Sequence, residues 1–131
     1  MIFLDTNIIS YYFNANATIK DKMLEALDRN EHICTTVVNA YEILKGLKWK
    51  NSKRKENQFR AFLNDVTVFT IDDAVTDIAA DIYSDLRKKG KAIGDADILI
   101  AAIVIRNDGI LVSNNIKHYE DIAQLRLTNW V

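Results

Sequence analysis

The sequence has no proline, a single cysteine and no long hydrophobic run. Because no apolar stretch reaches about 18 residues, we expect no membrane-spanning helix. No basic residues precede the apolar run at the N-terminus, so we expect no signal peptide. The one cysteine, Cys34, lies within an apolar strand pattern and is interpreted as a buried structural thiol rather than a nucleophile. This cysteine usage favours a reducing, cytoplasmic setting.

The chain also lacks a strong net charge. It carries 17 Lys and Arg residues against 18 Asp and Glu, so global charge does not predict a polyanionic partner. The charge is unevenly distributed along the chain, because cations cluster between residues 45 and 55. They could form a basic lane beside an acidic pocket. A solvated helix face and loop explains the cluster equally well. The cluster, called here the basic segment, consists of Lys45, Lys48, Lys50, Lys53, Arg54 and Lys55.

Short apolar segments alternate with segments of helical periodicity along the 131 residues, which we expect to form one domain over 1–131. The alternation predicts right-handed βαβ crossovers and an α/β fold with a mostly parallel sheet. Strands are predicted at 2–4, 33–37, 66–71, 110–113 and 125–128. Helices are predicted at 6–13, 18–29, from about 39 to 49, around 59–63, from 73 to about 89 and from 95 to about 107, with a junction at 50–56.

Four carboxylates lie where such a sheet would bring them together. Asp5 follows the first strand, Glu42 lies in the helix after the second, and Asp95 and Asp97 open the apolar helix before the fourth. Ligands of open parallel sheets bind beyond the carboxyl ends of the strands. Since Mg²⁺ and Mn²⁺ prefer oxygen ligands, the pattern points to metal-dependent phosphodiester chemistry.

Each acid also has a simpler explanation. Asp5 could be only the N-cap of the helix that begins near Thr6. Glu42 alone could be a surface residue. One of Asp95 and Asp97 could cap the helix, although two acids at a buried helix N-terminus are more than capping requires.

Taken together, the motifs resemble PIN-domain ribonucleases, and in particular VapC toxins of type II toxin–antitoxin pairs. The resemblance covers nearly the whole chain and implies a three-layer α/β/α fold with a central sheet of four to five strands. It rests on Phe3-Leu4-Asp5-Thr6-Asn7, Tyr41-Glu42, Ile93-Gly94-Asp95-Ala96-Asp97-Ile98-Leu99-Ile100-Ala101-Ala102 and Leu111-Val112-Ser113-Asn114-Asn115.

The resemblance implies which residues form the site. Asp5, Glu42 and Asp97 match the three acidic metal-site positions of the family, whereas Asp95 lies where many relatives carry a non-acidic residue, which leaves its role as a ligand open. Asn115 stands at a fourth, often acidic, position, and this departure bears on whether a second metal ion binds. Supporting polar positions are matched by Thr6, Asn7, Ser113 and Asn115.

The resemblance further implies an endoribonuclease that depends on Mg²⁺ or Mn²⁺, with one firm cation site and a second filled when RNA supplies phosphate oxygens. Transfer RNA is a favoured substrate class, and the basic segment becomes the candidate RNA-binding region. Trp49 beside it could stack on a base, although packing in the core or a dimer is favoured. A homodimer is implied, together with a VapB-like antitoxin that forms a larger complex and threads a peptide with a basic side chain toward the acids.

Two other functions remain as alternatives. A catalytically weak PIN-fold module could bind RNA or a protein without cutting, but such modules lose acidic positions that this chain keeps. A phosphotransferase could use Asp5 as a nucleophile, but it would need a second acid where Asn7 stands. The histidines His32 and His118 are predicted to be exposed polar residues rather than general bases.

Overall fold

The computed structural model describes residues 1–131 and has the predicted alternation of strands and helices. No helix combines the length and apolar character needed to cross a membrane. The elements are β1 (Ile2–Leu4), α1 (Thr6–Phe13), α2 (Ala17–Asp28), β2 (Ile33–Thr36), α3 (Val37–Trp49), α4 (Lys53–Asp65), β3 (Thr67–Phe69), α5 (Asp73–Lys88), α6 (Asp95–Arg106), β4 (Ile110–Val112), α7 (Ile116–Tyr119) and β5 (Arg126–Thr128).

The five strands form one sheet in the order β3-β2-β1-β4-β5, and every neighbouring pair is parallel. This confirms the predicted fold class. The chain runs outward from β1 through β2 to β3 and then returns to add β4 on the other side of β1. The switch point of the topology therefore lies between β1 and β4, and a ligand site is expected beyond the carboxyl ends of these two strands.

Helices cover both faces of the sheet, because successive strand residues point to opposite sides. In β1, Phe3 belongs to the core formed with α5 and α6, whereas Leu4 belongs to the core formed with α1 to α4. Gly109 lies against the Phe3 ring, where an added Cβ would stand 2.5 Å from Cε2, so the turn before β4 has no room for a side chain.

The structure corrects several predicted boundaries. Helix α3 begins at Val37, earlier than predicted, because the Thr36 hydroxyl caps it by accepting the Asn39 N–H at 3.1 Å. Strand β3 is shorter than predicted, since its pairing with β2 ends at the Thr36 register position. Helix α4 already begins at Lys53, inside the predicted junction. Helix α7 was not predicted, because four residues are too few for a periodic apolar pattern.

Candidate active site

A polar cleft of about 320 Å³ opens at the carboxyl ends of β1 and β4, next to the switch point of the sheet. No hydrophobic residue lines it, and three of its residues are the acids that the family resemblance assigned to the metal site. Asp95 is not among the lining residues and is exposed at the start of α6. The cleft is lined by Asp5, Thr6, Asn7, Glu42, Asp97, Asn115 and His118.

Asp5 is the most buried of these acids, with only 3% of its surface exposed. Its Oδ1 accepts hydrogen bonds from the Thr6 N–H at 2.9 Å and from Asn39 Nδ2 at 3.0 Å. Its Oδ2 accepts from Ser113 Oγ at 2.7 Å and from the Tyr119 hydroxyl at 3.2 Å. Asp5 is thus both the N-cap of α1 and part of the cleft. Its charge is stabilised by neutral donors alone, so no protein cation compensates it.

Glu42 is held by a chain of polar residues that links α3 to α1. The Thr6 hydroxyl donates to Glu42 Oε1 at 2.8 Å and accepts from Asn39 Nδ2 at 3.0 Å. Asn39 is fully buried, and its Oδ1 accepts the Thr36 hydroxyl at 2.7 Å. The sequence alone did not indicate a role for Asn39 in the site. Its position three residues before Glu42, on the same face of the helix, was the available signal.

Asp97 lies in the first turn of α6, where the helix dipole favours a carboxylate. His118 Nδ1 donates to its Oδ2 at 3.2 Å, and the Tyr119 hydroxyl lies 3.2 Å from its Oδ1. His118 is exposed, as predicted, but it also belongs to the cleft, which the prediction missed. Tyr119 was missed entirely. Burial and the charges of Asp5 and Asp97 raise the pKa of Tyr119, so the phenol keeps its proton.

The segment after β4 is fixed by the remaining polar residues. Ser113 is fully buried beneath the cleft, and its hydroxyl accepts the Asn115 N–H at 3.0 Å while it donates to Asp5. Asn7 Oδ1 accepts the Asn114 N–H at 3.1 Å. The polar positions taken from the resemblance therefore surround the acids, Ser113 from below and the others at the wall of the cleft.

The cleft suits a hard divalent cation by its chemistry rather than by a finished cage. No three Asp, Glu, His or Cys side chains stand so that they could hold a metal ion by themselves. Mg²⁺ does not need such a cage, because it keeps several waters and binds proteins through one or two carboxylates. With carboxylate, amide and hydroxyl oxygens around the cleft, the residues present fit a partly hydrated Mg²⁺ or Mn²⁺.

The family model of the PIN domain matches residues 2–124. The chain is also 33% identical over 129 residues to Ribonuclease VapC2 of Rickettsia felis, covering 97% of this chain and 96% of that protein. The chain belongs to the PIN-domain family, in its VapC group. This PIN domain is 26% identical to the tRNA(fMet)-specific endonuclease VapC of Shigella flexneri, with 97% and 96% of the two chains covered.

A solved structure gives the same assignment. The structure of VapBC2 from Rickettsia felis bound to a DNA fragment from its promoter contains a chain that matches this PIN domain with a TM-score of 0.87 and 32% identity. Both chains are covered completely, at 100% each. The family resemblance and the parallel α/β/α architecture inferred from the sequence are therefore confirmed.

Proposed function

We propose that this PIN domain hydrolyses RNA phosphodiester bonds as a divalent-metal-dependent endoribonuclease, and that it is the toxin of a toxin–antitoxin pair. The observation that carries the proposal is the joining of Asp5, Glu42 and Asp97 from β1, α3 and α6 in one cleft. None of the three forms an ion pair with Lys or Arg, and the only basic side chain at salt-bridge distance is His118. Such uncompensated negative charge favours an external cation.

Asp5, Glu42 and Asp97 are the residues that would hold a partly hydrated Mg²⁺ or Mn²⁺, directly or through its bound waters. When bound, such an ion activates a water for attack and stabilises negative charge on the phosphate. Thr6 orients Glu42, and Ser113 orients Asp5, each through the hydrogen bond that its hydroxyl donates. At the wall of the cleft, the side-chain amides of Asn7 and Asn115 offer N–H donors for phosphate oxygens.

The basic segment divides into two groups. Lys48 and Lys53 lie 3.5 and 3.9 Å from the carboxylate of Glu56, so part of their charge is offset within the protein. The other members form no ion pair and are exposed, and we propose that they bind RNA phosphates. These four are Lys45, Lys50, Arg54 and Lys55.

Trp49 is the aromatic residue most available to a nucleic-acid base in this region. It is 90% exposed at the end of α3, which contradicts packing in the core, whereas packing in a dimer stays a prediction. Glu42 lies on the same helix seven residues earlier, which corresponds to about 10 Å along the axis. A single strand whose scissile phosphate lies in the cleft could therefore place a nearby base on Trp49, and stacking of this kind tolerates any base.

Transfer RNA is the substrate class we propose, supported by the name of the Shigella flexneri relative. We also propose a VapB-like antitoxin partner, a homodimer and a larger complex of the two proteins. The support for the antitoxin is the VapBC2 structure together with the acids of the cleft, which form no ion pair with Lys or Arg and which a basic peptide side chain would neutralise. The catalytically weak RNA- or protein-binding module remains the alternative.

The first test is cleavage of total tRNA by the antitoxin-free protein with Mg²⁺ or Mn²⁺, with and without EDTA. Asp97→Asn and Asp95→Asn form a matched pair, because both remove a charge from the first turn of α6 and only Asp97 lines the cleft. We expect discrete fragments from wild type and Asp95→Asn, and none with Asp97→Asn or EDTA. Full activity of Asp97→Asn would refute the proposed site. Metal-independent RNA binding without cleavage would favour the alternative.

The RNA-binding surface is tested separately by measuring the affinity of Asp97→Asn protein for tRNA. Adding Trp49→Ala should weaken binding by about 1–3 kcal/mol if one base stacks on the indole. Adding Arg54→Glu should reduce the dependence of binding on salt concentration, because a phosphate contact is lost. Lys20→Glu, an exposed cation on α2, is the control for a change of net charge alone. Equal effects of Arg54→Glu and Lys20→Glu would argue against a specific surface.

A further inference from the structure

Tyr119 stands between two acids of the cleft without lining the cleft itself. Its hydroxyl oxygen lies 3.2 Å from Asp5 Oδ2 and 3.2 Å from Asp97 Oδ1. The side chain is 1% exposed and packs in the core beneath α6. A buried phenol needs a hydrogen-bond partner, but a single backbone carbonyl would satisfy that need. Here the partners are two carboxylates from β1 and α6.

The hydroxyl has one hydrogen for these two acceptors. Asp5 Oδ2 has a second donor in Ser113 at 2.7 Å, whereas Asp97 Oδ1 has no donor other than the phenol. Rotation about the phenol C–O bond moves the hydrogen from one carboxylate to the other without displacing a heavy atom. Because both oxygens stay within reach of the same hydroxyl, their separation cannot exceed about two hydrogen-bond lengths.

We propose that Tyr119 is a positioning residue, whose hydroxyl holds Asp5 and Asp97 at the spacing that cation binding and cleavage require. Without it, Asp5 and Asp97 lose their only shared donor, and the repulsion between their charges is no longer opposed by a common contact. The family resemblance concerns the acids and Asn115. The hydroxyl that contacts both Asp5 and Asp97 belongs instead to Tyr119, the residue that ends α7. This inference rests on the proposed metal-dependent function.

The test is Tyr119→Phe, which removes a single oxygen atom and keeps the ring in the core. Mn²⁺ binding to the folded protein is measured by calorimetry and by the electron paramagnetic resonance signal of free Mn²⁺. Cleavage of tRNA is measured in parallel. We expect Mn²⁺ affinity to fall about 10- to 100-fold, as when other hydrogen-bond partners of metal ligands are removed. The cleavage rate should fall while KM for RNA stays unchanged, because the proposed RNA-binding surface lies elsewhere.

Tyr12→Phe is the matched control, because Tyr12 packs against Phe13 and Phe62 and its hydroxyl makes no hydrogen bond within the chain. It should change neither Mn²⁺ affinity nor cleavage. Wild-type Mn²⁺ affinity in folded Tyr119→Phe overturns the inference, even if cleavage falls, since the role would then be structural only. If wild type itself neither binds Mn²⁺ nor cleaves RNA, the proposed function fails and the inference fails with it.

Discussion

Two buried carboxylates of this protein have opposite surroundings. Asp5, 3% exposed at the end of β1, accepts hydrogen bonds only from neutral groups. Glu56, 6% exposed on α4, is covered by cations: Arg60 Nε lies 3.0 Å from its Oε2, and Lys48 and Lys53 complete the group. Both acids escape the cost of an isolated buried charge, but only Glu56 is neutralised by the protein.

The difference separates an acid of the candidate site from a structural one. Hydrogen bonds from neutral donors hold Asp5 in place and leave its charge available to something outside the chain. The cations around Glu56 satisfy its charge completely and join the end of α3 to the start of α4. Burial alone therefore does not mark an acid as part of a candidate site in this fold. What distinguishes the two acids is whether their hydrogen-bond partners are neutral or positively charged.

The largest effect is expected from Asp5→Asn. The variant should lose cleavage by about 100-fold or more, since a metal ligand should matter at least as much as its hydrogen-bond partners. Its melting temperature should stay the same or rise, because the hydroxyls of Ser113 and Tyr119 can rotate to accept from the new amide and a buried charge is gone. Cleavage assays check the expected loss of activity, and thermal melts check the expected stability. The exposed Asp81→Asn is the control. Strong destabilisation would contradict the comparison.

Glu56→Gln should give the reverse result. The melting temperature should fall by a few degrees, because three cations lose their shared partner, while the cleavage rate stays unchanged. Glu25→Gln is the matched control, because Glu25 pairs with Lys22 at 3.7 Å with both side chains about half exposed, and such surface pairs contribute little. If the two variants lose the same stability, the three cations around Glu56 contribute no more than a surface ion pair does.

The pH dependence of stability sharpens the same contrast. The hydrogen bond from Arg60, aided by the charges of Lys48 and Lys53, lowers the pKa of Glu56 below its usual value of about 4.3. The unfolded chain therefore binds a proton at a higher pH than the folded protein does, and the stabilisation is lost as pH falls. The difference in melting temperature between wild type and Glu56→Gln should be constant above about pH 5 and shrink below about pH 4.3. A difference that persists at low pH would rule out the ionised carboxylate as its source.

Local sequence was sufficient for the frame of the fold and indicated candidate acids, whereas the choice of Asp5, Glu42 and Asp97 among them came from the family resemblance. The apolar run before Asp5 and the apolar helix after Asp97 identified buried elements, and the parallel topology then brought their ends together. The predicted ends of helices and strands were wrong where a contact with another element determines them. The end of β3, for example, depends on where β2 ends, and β2 ends where Thr36 begins to cap α3.

Contacts between distant polar residues could not be predicted in the same way. Asn39, His118 and Tyr119 each reach an acid of the cleft only because α3 and α7 are packed against the end of the sheet. A polar residue in a sequence is interpreted as exposed unless a pattern indicates otherwise. The burial of Glu56 could not be predicted for the same reason. A run of charges predicts a solvated face, whereas Arg60, one turn later, covers this carboxylate.

The smallest effect is expected from substituting Cys34. This residue shows a third way to bury an ionisable group, which is to keep it neutral. The thiol is fully buried in β2 and its only hydrogen-bond partner is the His32 carbonyl oxygen, 3.7 Å from Sγ. Burial raises the pKa of Cys34 to about 11, so it carries no charge at neutral pH and needs neither donors nor cations. Cys34→Ala should leave cleavage unchanged, and a thiol reagent should label native protein only as fast as it unfolds. Rapid labelling of the folded protein would mean that the site around Cys34 opens, and that its neutrality does not come from burial.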